Sequence, residues 1–289
     1  MATSVVEGFN ELRDRFPLTQ NQSESAKTKV ASIKNFFNEK FVMAESAITV
    51  GSYARGSIIR VERDVDILAP LSYPKYKETY DDDSQAFLYM VRDALNAKFG
   101  STTVSSKKVA VKLDFTSIAV DVVPCFVRQG GGYFMPNGSG KWMATNPPFH
   151  TTFMKEANAE HDAKLRPLVK LMKFWNIANG HHLSSLHVEL MTERMWRGVN
   201  FGDRLYATLV CETLKAMPGW AGKQFPDPWE SGHSIDSALS ADERAKAIRM
   251  LNEDADRSRK AEEFRKDGKV EEAFECWAII FNHEFPAYG

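Results

Sequence analysis

The chain has 289 residues, 43% of them hydrophobic, and its 37 basic and 38 acidic residues leave a formal net charge of −1. This balance gives no general attraction to a long nucleic acid, and the three cysteines, Cys125, Cys211 and Cys276, lie too far apart for a disulfide framework or a zinc site. No apolar run approaches the ~18 residues of a membrane span, and we expect a cytoplasmic globular protein that binds no membrane.

Two helices are predicted at the N-terminus, over residues 5–16 and 25–41. Pro17 ends the first, because proline lacks the N–H group that a helix needs in its interior. The second carries Val30 and Ile33 at helical spacing within its apolar positions. We expect the two segments to form one bent spine helix.

Strands are expected to dominate residues 47–126, with one helix over about residues 84–99. Asp64 and Asp66 fall in a segment rich in strand-forming residues, and side chains two apart in a strand point to the same face. Paired carboxylates suit Mg²⁺, which also binds substrate phosphates. Gly51-Ser52 lies just upstream and supplies a small residue where a triphosphate could approach backbone N–H groups.

A third carboxylate follows in a second predicted strand. Asp121 interrupts a run of β-branched residues, and a buried charge there is costly unless it coordinates something. Asp114 competes for this role, but it alternates in phase with Lys112, which favours a position facing water. The sequence therefore predicts a carboxylate triad completed by Asp121, with Asp114 as the alternative.

Glycine-rich and turn-rich residues at 130–132 and 136–140 mark the passage between two halves of the chain. Helices are expected to dominate from about residue 165. The highly charged segment 241–261 is predicted to be a solvated helix.

A basic ridge is predicted on the helix that surrounds Lys173. Its apolar residues recur at intervals of three and four, whereas Arg166, Lys170 and Lys173 line another face. Taken alone, this pattern also fits an ordinary solvated face. Farther along, Ser184 and Ser185 are typical residues for the start of a helix.

The sequence resembles the polymerase-beta-like nucleotidyltransferase superfamily, and within it the bacterial cGAS-like enzymes (CD-NTases of the SMODS type) and the oligoadenylate synthetases. The resemblance rests on the glycine-serine motif, the carboxylates and several further segments. These are Gly140 to Pro147, Leu168 to Trp175, Leu183 to Leu190, Phe225 to Pro228, and the C-terminal stretch from Ala273. It implies an α+β fold, with a mixed-sheet nucleotidyltransferase core over residues 1–150 and an oligoadenylate-synthetase-type helical domain over 151–289 that closes the nucleotide cleft.

The resemblance also implies how the site works. Asp64, Asp66 and Asp121 would hold two Mg²⁺ or Mn²⁺ ions, and Asp121 would in addition take the proton of the attacking ribose hydroxyl. The donor nucleoside triphosphate would be held by a second group of residues. Its members are Gly51, Ser52, Lys170, Lys173 and Ser185.

The expected product is a cyclic di- or trinucleotide made from ribonucleoside triphosphates in bacterial anti-phage (CBASS) signalling. It would diffuse to a separate effector, and conjugation machinery could act on the C-terminal Gly289. The animal DNA sensors of this superfamily carry a zinc-bearing insertion, and this chain has no matching Cys/His set. Two alternatives stay open: a nucleotidyltransferase that modifies an RNA end or a protein, and a non-catalytic nucleotide-binding sensor.

Overall fold

A computed structural model describes residues 2–230, 234–237 and 239–289 of the chain. The chain divides into two compact units. The sheet unit comprises residues 18–152, and the helical unit comprises the N-terminal segment up to residue 17 together with residues 153–289.

The helices and strands of the described residues are as follows. The helices are Val5–Asp14 (α1), Gln20–Lys40 (α2), Gly51–Arg55 (α3), Tyr73–Tyr80 (α4), Ser84–Phe99 (α5), Pro147–Glu160 (α6), Leu165–Ala178 (α7), Ser185–Trp196 (α8), Tyr206–Ala221 (α9), Ala241–Lys266 (α10) and Val270–Ile280 (α11). The strands are Ile48–Val50 (β1), Asp64–Pro70 (β2), Thr103–Ser106 (β3), Val111–Asp114 (β4), Ala119–Val127 (β5), Tyr133–Pro136 (β6) and Trp142–Thr145 (β7). The predicted helix at 84–99 is confirmed.

The sheet of the first unit is mixed, in the order β1-β2-β5-β4-β3. Only β2 and β5 run parallel, and the other neighbours are antiparallel. The far end of β5 also pairs with β6, which pairs with β7. Because β2 and β5 run in the same direction, their N-terminal ends meet at one edge of the sheet.

The two faces of this sheet differ in what they bury. Val65 and Ile67 of β2 and Val120 and Val122 of β5 point into a large core, which α2 and α5 cover with apolar side chains such as Ile33. Residues of the opposite parity point to the other face, where only a small apolar cluster forms. Because side chains alternate along a strand, the side chains at the start of that second face are polar.

Helix α2 begins five residues earlier than the sequence pattern indicates. Thr19 caps it: its hydroxyl accepts a hydrogen bond from the Gln22 N–H at 3.2 Å, and the Gln22 side chain accepts one from the Thr19 N–H at 2.9 Å. This reciprocal pair satisfies N–H groups that the first turn of a helix leaves without partners.

The helical unit is built by successive packing of α7 to α11, and α1 joins it. Phe9 of α1 contacts Trp277 and Phe285, with ring centroids 4.9 and 5.1 Å apart. The two ends of the chain meet as well, since the Gly289 N–H donates a hydrogen bond to the Ala2 carbonyl oxygen at 3.2 Å.

By its contacts the N-terminal segment groups with the helical unit, whereas the sequence analysis placed it as a spine helix in the core of residues 1–150, and that domain assignment stays a prediction. Pro17 separates α1 from α2 instead of bending one helix, and Phe9 is buried among C-terminal aromatic residues. The units divide between Thr152 and Phe153.

Turns at residues 130–132 and 138–140 lie on either side of β6. Trp142 follows on β7, and its ring centroid lies 4.7 Å from that of Phe126 and 5.4 Å from that of Phe87. Within the described residues, no helix combines the length and the apolar character that a membrane span requires.

Candidate active site

Strand alternation places the first two carboxylates of the site. Val65 and Ile67 enter the core, so Asp64 and Asp66 lie on the other face of β2. That face is half-exposed at this end of the strand. The expectation that both carboxylates share one side of a strand is confirmed.

Asp121 lies beside them. It is the register partner of Asp66 across the parallel pair of β2 and β5, and adjacent strands lie about 4.8 Å apart. Asp121 is also largely buried, with 8% of its surface exposed. Asp114 instead faces Ala119 across the antiparallel pair and is exposed. Of the two alternatives, the structure brings Asp121 next to Asp66.

Gly51 fits closely against this pair. It starts the five-residue helix α3 with a positive φ of 68°, and a β-carbon at this position would lie 1.8 Å from Oδ2 of Asp66. Ser52 is buried, and its carbonyl oxygen accepts hydrogen bonds from the N–H groups of Ser57 and Ile58 at 2.9 and 3.1 Å. The Gly51-Ser52 turn is thereby fixed directly against the Asp66 carboxylate.

The surroundings of the Asp66 and Asp121 carboxyl groups disfavour their ionised forms. Burial, and after it the charge of Asp121, raise the pKa of Asp66 from 3.8 to about 7, although the Arg55 guanidinium opposes the shift. Burial likewise raises the pKa of Asp121, against a hydrogen bond from Lys107 that lowers it. Three carboxyl groups so close together favour a neighbouring cation.

Two lysines that the sequence analysis did not single out supply positive charge. The Lys107 Nζ atom lies 2.5 Å from Oδ2 of Asp121 and 4.0 Å from Oδ2 of Asp64. The Lys112 Nζ atom lies 3.9 Å from Oδ1 of Asp64 and 3.2 Å from Oδ1 of Asp114. Strand parity placed Lys112 on the face of Asp114, and only the β4–β5 register, in which it lies opposite Asp121, brings it to the carboxylates. Lys107 precedes β4, where alternation gives no signal.

The carboxylates fit a divalent metal ion in their chemistry. Oδ1 of Asp121 is buried and has no hydrogen-bond partner, which leaves a free oxygen ligand, and Mg²⁺ prefers carboxylate oxygens. Asp64, Asp66 and Asp121 are the residues that would hold it. Across the described residues, no three acidic, His or Cys side chains are already arranged to hold a metal ion. Lys107 lies among these carboxylates, close to Asp64 and Asp121.

The predicted basic ridge of the helical unit is wrong at Lys173. Its side chain is fully buried, and Nζ lies 3.6 Å from Oε1 of Glu189, which is equally buried. Lys173 therefore faces α8, and its contact with the donor phosphates stays a prediction. Lys170 and Arg166 are half-buried, and burial, together with the charges of Arg166 and Lys173, lowers the pKa of Lys170. An anion bound beside Lys170 would stabilise its charged form.

At the start of α8, Ser184 is the N-cap residue, and its hydroxyl accepts a hydrogen bond from the His187 N–H at 3.3 Å. Ser185 is the first helical residue and is half-buried. His187 is 1% exposed and packs on Phe225, and burial lowers its pKa to about 4. This histidine belongs to the core of the helical unit.

Comparison with known proteins agrees with this geometry. Residues 3–158 match the family described as the Second Messenger Oligonucleotide or Dinucleotide Synthetase domain. The chain is 28% identical over 286 residues to the cyclic AMP-AMP-AMP synthase of Acinetobacter sp. (strain ATCC 27244 / 9458), a match that covers 93% of this chain and 80% of that protein. It is 23% identical over 279 residues to the CBASS oligonucleotide cyclase CdnC of Escherichia coli (strain KTE188), covering 87% of this chain and 86% of that protein.

The solved structure of E. coli MS115-1 CdnC with ATP has the same fold. Its TM-score is 0.77 at 15% identity, and the match covers 97% of this chain and 98% of that one. The predicted α+β nucleotidyltransferase fold with a helical C-terminal part is confirmed, as is the resemblance to the CD-NTases.

Proposed function

This chain belongs to the Second Messenger Oligonucleotide or Dinucleotide Synthetase family, and from that membership we propose that it joins ribonucleoside triphosphates into a cyclic di- or trinucleotide. The chain is a nucleotidyltransferase, like its named relatives. The observation that best supports the proposal is the Asp66–Asp121 register pair with Gly51 packed against it.

In this proposal Asp64, Asp66 and Asp121 hold two Mg²⁺ or Mn²⁺ ions. When bound, such ions stabilise the attacking and leaving oxygens of a phosphoryl transfer together. The raised pKa of Asp66, caused first by burial and then by the charge of Asp121, supports the assignment, because a bound metal ion would stabilise the ionised carboxylate there.

Asp121 is proposed to take the proton of the attacking ribose hydroxyl. Burial raises the pKa of its carboxyl group, which makes the carboxylate a better base than an exposed aspartate. Its unpartnered Oδ1 atom is free to accept that proton or a metal ion. Pyrophosphate leaves as the new phosphodiester bond forms.

The donor phosphates are assigned to four residues. Gly51 and Ser52 form the turn packed on Asp66, and backbone N–H groups in such a turn suit phosphate oxygens. Lys170 is half-buried with its pKa lowered by neighbouring cations, and an anion would relieve that repulsion. Ser185 is assigned by resemblance and lies at the first position of α8.

Adenine nucleotides are the first substrates to test. The Acinetobacter relative is named as a cyclic AMP-AMP-AMP synthase, and the E. coli structural neighbour is described with ATP. A relative is named as a CBASS cyclase, which supports an anti-phage signal that acts in the cytoplasm on a separate effector. Conjugation at Gly289 stays a prediction; the Gly289 N–H donates a hydrogen bond to the Ala2 carbonyl oxygen, and the exposed residue ends the chain there.

The experiment incubates the purified protein with all four labelled ribonucleotides and Mg²⁺ or Mn²⁺, then identifies products by mass spectrometry. The proposal predicts a small cyclic product that contains AMP. Label found on RNA or protein would identify a transferase of the alternative kind. Bound but unchanged nucleotide under every condition would leave only the non-catalytic sensor.

A further inference from the structure

Lys107 has an unusual position for a residue outside the strands. It lies in the turn between β3 and β4, where its N–H donates a hydrogen bond to the Ala110 carbonyl oxygen at 2.8 Å. From there its side chain reaches back to the carboxylates, 2.5 Å from Asp121 and 4.0 Å from Asp64. Lys108, the next residue, is exposed to solvent.

This position conflicts with metal coordination. Oδ2 of Asp121 has lone pairs for a hydrogen bond and a metal ion together, but the ammonium group of Lys107, 2.5 Å from that oxygen, would lie close to an ion bound to the same carboxylate. Repulsion between the two positive charges therefore makes Lys107 and a metal ion compete for Asp121, whichever of its oxygens the ion binds.

Charge balance indicates that one cation must leave. Three carboxylates are opposed by Lys107, Lys112 and the charge of Arg55. Asp114, which contacts Lys112, is a fourth carboxylate of this set, so a divalent ion added without nucleotide leaves an excess of one positive charge, and the departure of one cation cancels it.

Lys107 is the cation that can leave at least cost. Lys112 is also held by Asp114 at 3.2 Å, and Arg55 is 8% exposed. The Lys107 side chain is 44% exposed and sits on a turn, so it can rotate into water without unpacking the core.

We propose that Lys107 is a tethered cation that occupies the carboxylate site until a divalent metal ion displaces it, so that lysine and metal compete for Asp121. The inference rests on the proposed function, because it takes the three carboxylates as metal ligands. Lys107 then delays metal occupancy until the metal is abundant or arrives with a nucleotide, and it keeps the metal-free carboxylates compensated.

Mn²⁺ binding measured by electron paramagnetic resonance tests this on the full chain without nucleotide. Four proteins are compared: the unchanged chain, Lys107→Gln, Lys108→Gln as the matched control, and Asp66→Asn to show which binding belongs to the carboxylates. Removal of one partly exposed charge-assisted contact should tighten the Asp66-dependent Mn²⁺ binding about three- to tenfold in Lys107→Gln. Lys108→Gln should bind as the unchanged chain does.

Thermal unfolding provides a second readout. Without metal, Lys107→Gln should melt at a lower temperature than the unchanged chain. Added Mn²⁺ should raise the melting temperature of Lys107→Gln by more than it raises that of the unchanged chain. Equal or weaker Mn²⁺ binding by Lys107→Gln would overturn the competition. Absence of any Asp66-dependent Mn²⁺ binding in the unchanged chain would instead contradict the proposed metal site, so the two failures are distinguishable.

Discussion

A β-carbon on Gly51 would lie 1.8 Å from Oδ2 of Asp66, so the carboxylate of β2 leaves no room for a side chain at the start of α3. Gly51 also has a φ of 68°, a backbone conformation that side chains rarely adopt. The glycine is thus required twice, by backbone conformation and by the carboxylate that it touches.

Gly51→Ala should therefore displace Asp66 and abolish most activity. The left-handed backbone alone costs about 1–2 kcal/mol with alanine, and the collision adds to that. Gly130→Ala is the matched control, because its φ is 88° and no atom lies within 4 Å of the added carbon. Product formation and melting temperature are measured for both. Similar losses in the two variants would show that backbone strain, not Asp66, explains the effect.

The pH dependence of stability should report the buried charge of Asp66. Its pKa is raised from 3.8 to about 7, so the folded protein holds this proton more tightly than the unfolded chain does. The resulting stability is complete below about pH 4 and is lost as the pH rises through about 7. The Asp66→Asn variant has no ionisable group at this position, so its stability should not fall with pH for this reason.

Melting temperatures in metal-free buffer from pH 5 to 8 test this prediction. The advantage of Asp66→Asn over the unchanged chain should grow with pH by on the order of a few degrees and level off above pH 7. Added Mg²⁺ should remove that advantage. A constant difference across the whole range would show that Asp66 ionises normally in the folded protein.

The buried pair of Lys173 and Glu189 should govern stability of the helical unit. Lys173→Met removes one partner and leaves the Glu189 carboxylate buried, a change that costs about 3–5 kcal/mol in comparable pairs. The double variant Lys173→Met with Glu189→Gln has no unpaired buried carboxylate and should recover part of the lost stability. Urea unfolding followed by circular dichroism measures both. An unchanged midpoint in Lys173→Met would contradict the buried pair.

Lys170→Ala should instead weaken nucleotide binding with little effect on folding. A phosphate contact through a charged hydrogen bond contributes about 1.5–3 kcal/mol, so ATP binding should weaken roughly ten- to a hundredfold. Isothermal titration with a non-hydrolysable ATP analogue measures this, with Lys164→Ala, whose side chain bonds the Gly202 carbonyl oxygen, as control. Equal affinities for both variants would remove Lys170 from the site.

The sequence was informative wherever a residue's role depends on its near neighbours. Alternation along β2 predicted that Asp64 and Asp66 share a face, and the apolar spacing of α5 gave its bounds. Pairing between strands then brought Asp121 beside Asp66, a relationship that depends on the parallel register of two segments more than fifty residues apart. The run of β-branched residues had singled out Asp121, but periodicity could not show which residue lies beside it.

The errors concern contacts between distant segments. Lys173 was placed on a polar face by residue type, because its partner Glu189 lies on the next helix and no local pattern signals a buried pair. Phe9 packs on Trp277 near the other end of the chain, so α1 could not be assigned to its unit from local spacing. Lys107 lies in a turn, where hydrophobic alternation carries no information about direction.

The most direct test of the account compares product formation by the unchanged chain, Asp121→Asn and Asp114→Asn, with ATP and the other ribonucleotides in the presence of Mg²⁺. Asp121 is buried beside Asp66, whereas Asp114 is exposed and bonded to Lys112, so the two substitutions change the same chemical group in different surroundings. Loss of a metal-binding carboxylate should lower turnover at least a hundredfold in Asp121→Asn, and Asp114→Asn should keep most of the activity. Near-normal cyclic product from folded Asp121→Asn would contradict the proposed carboxylate site.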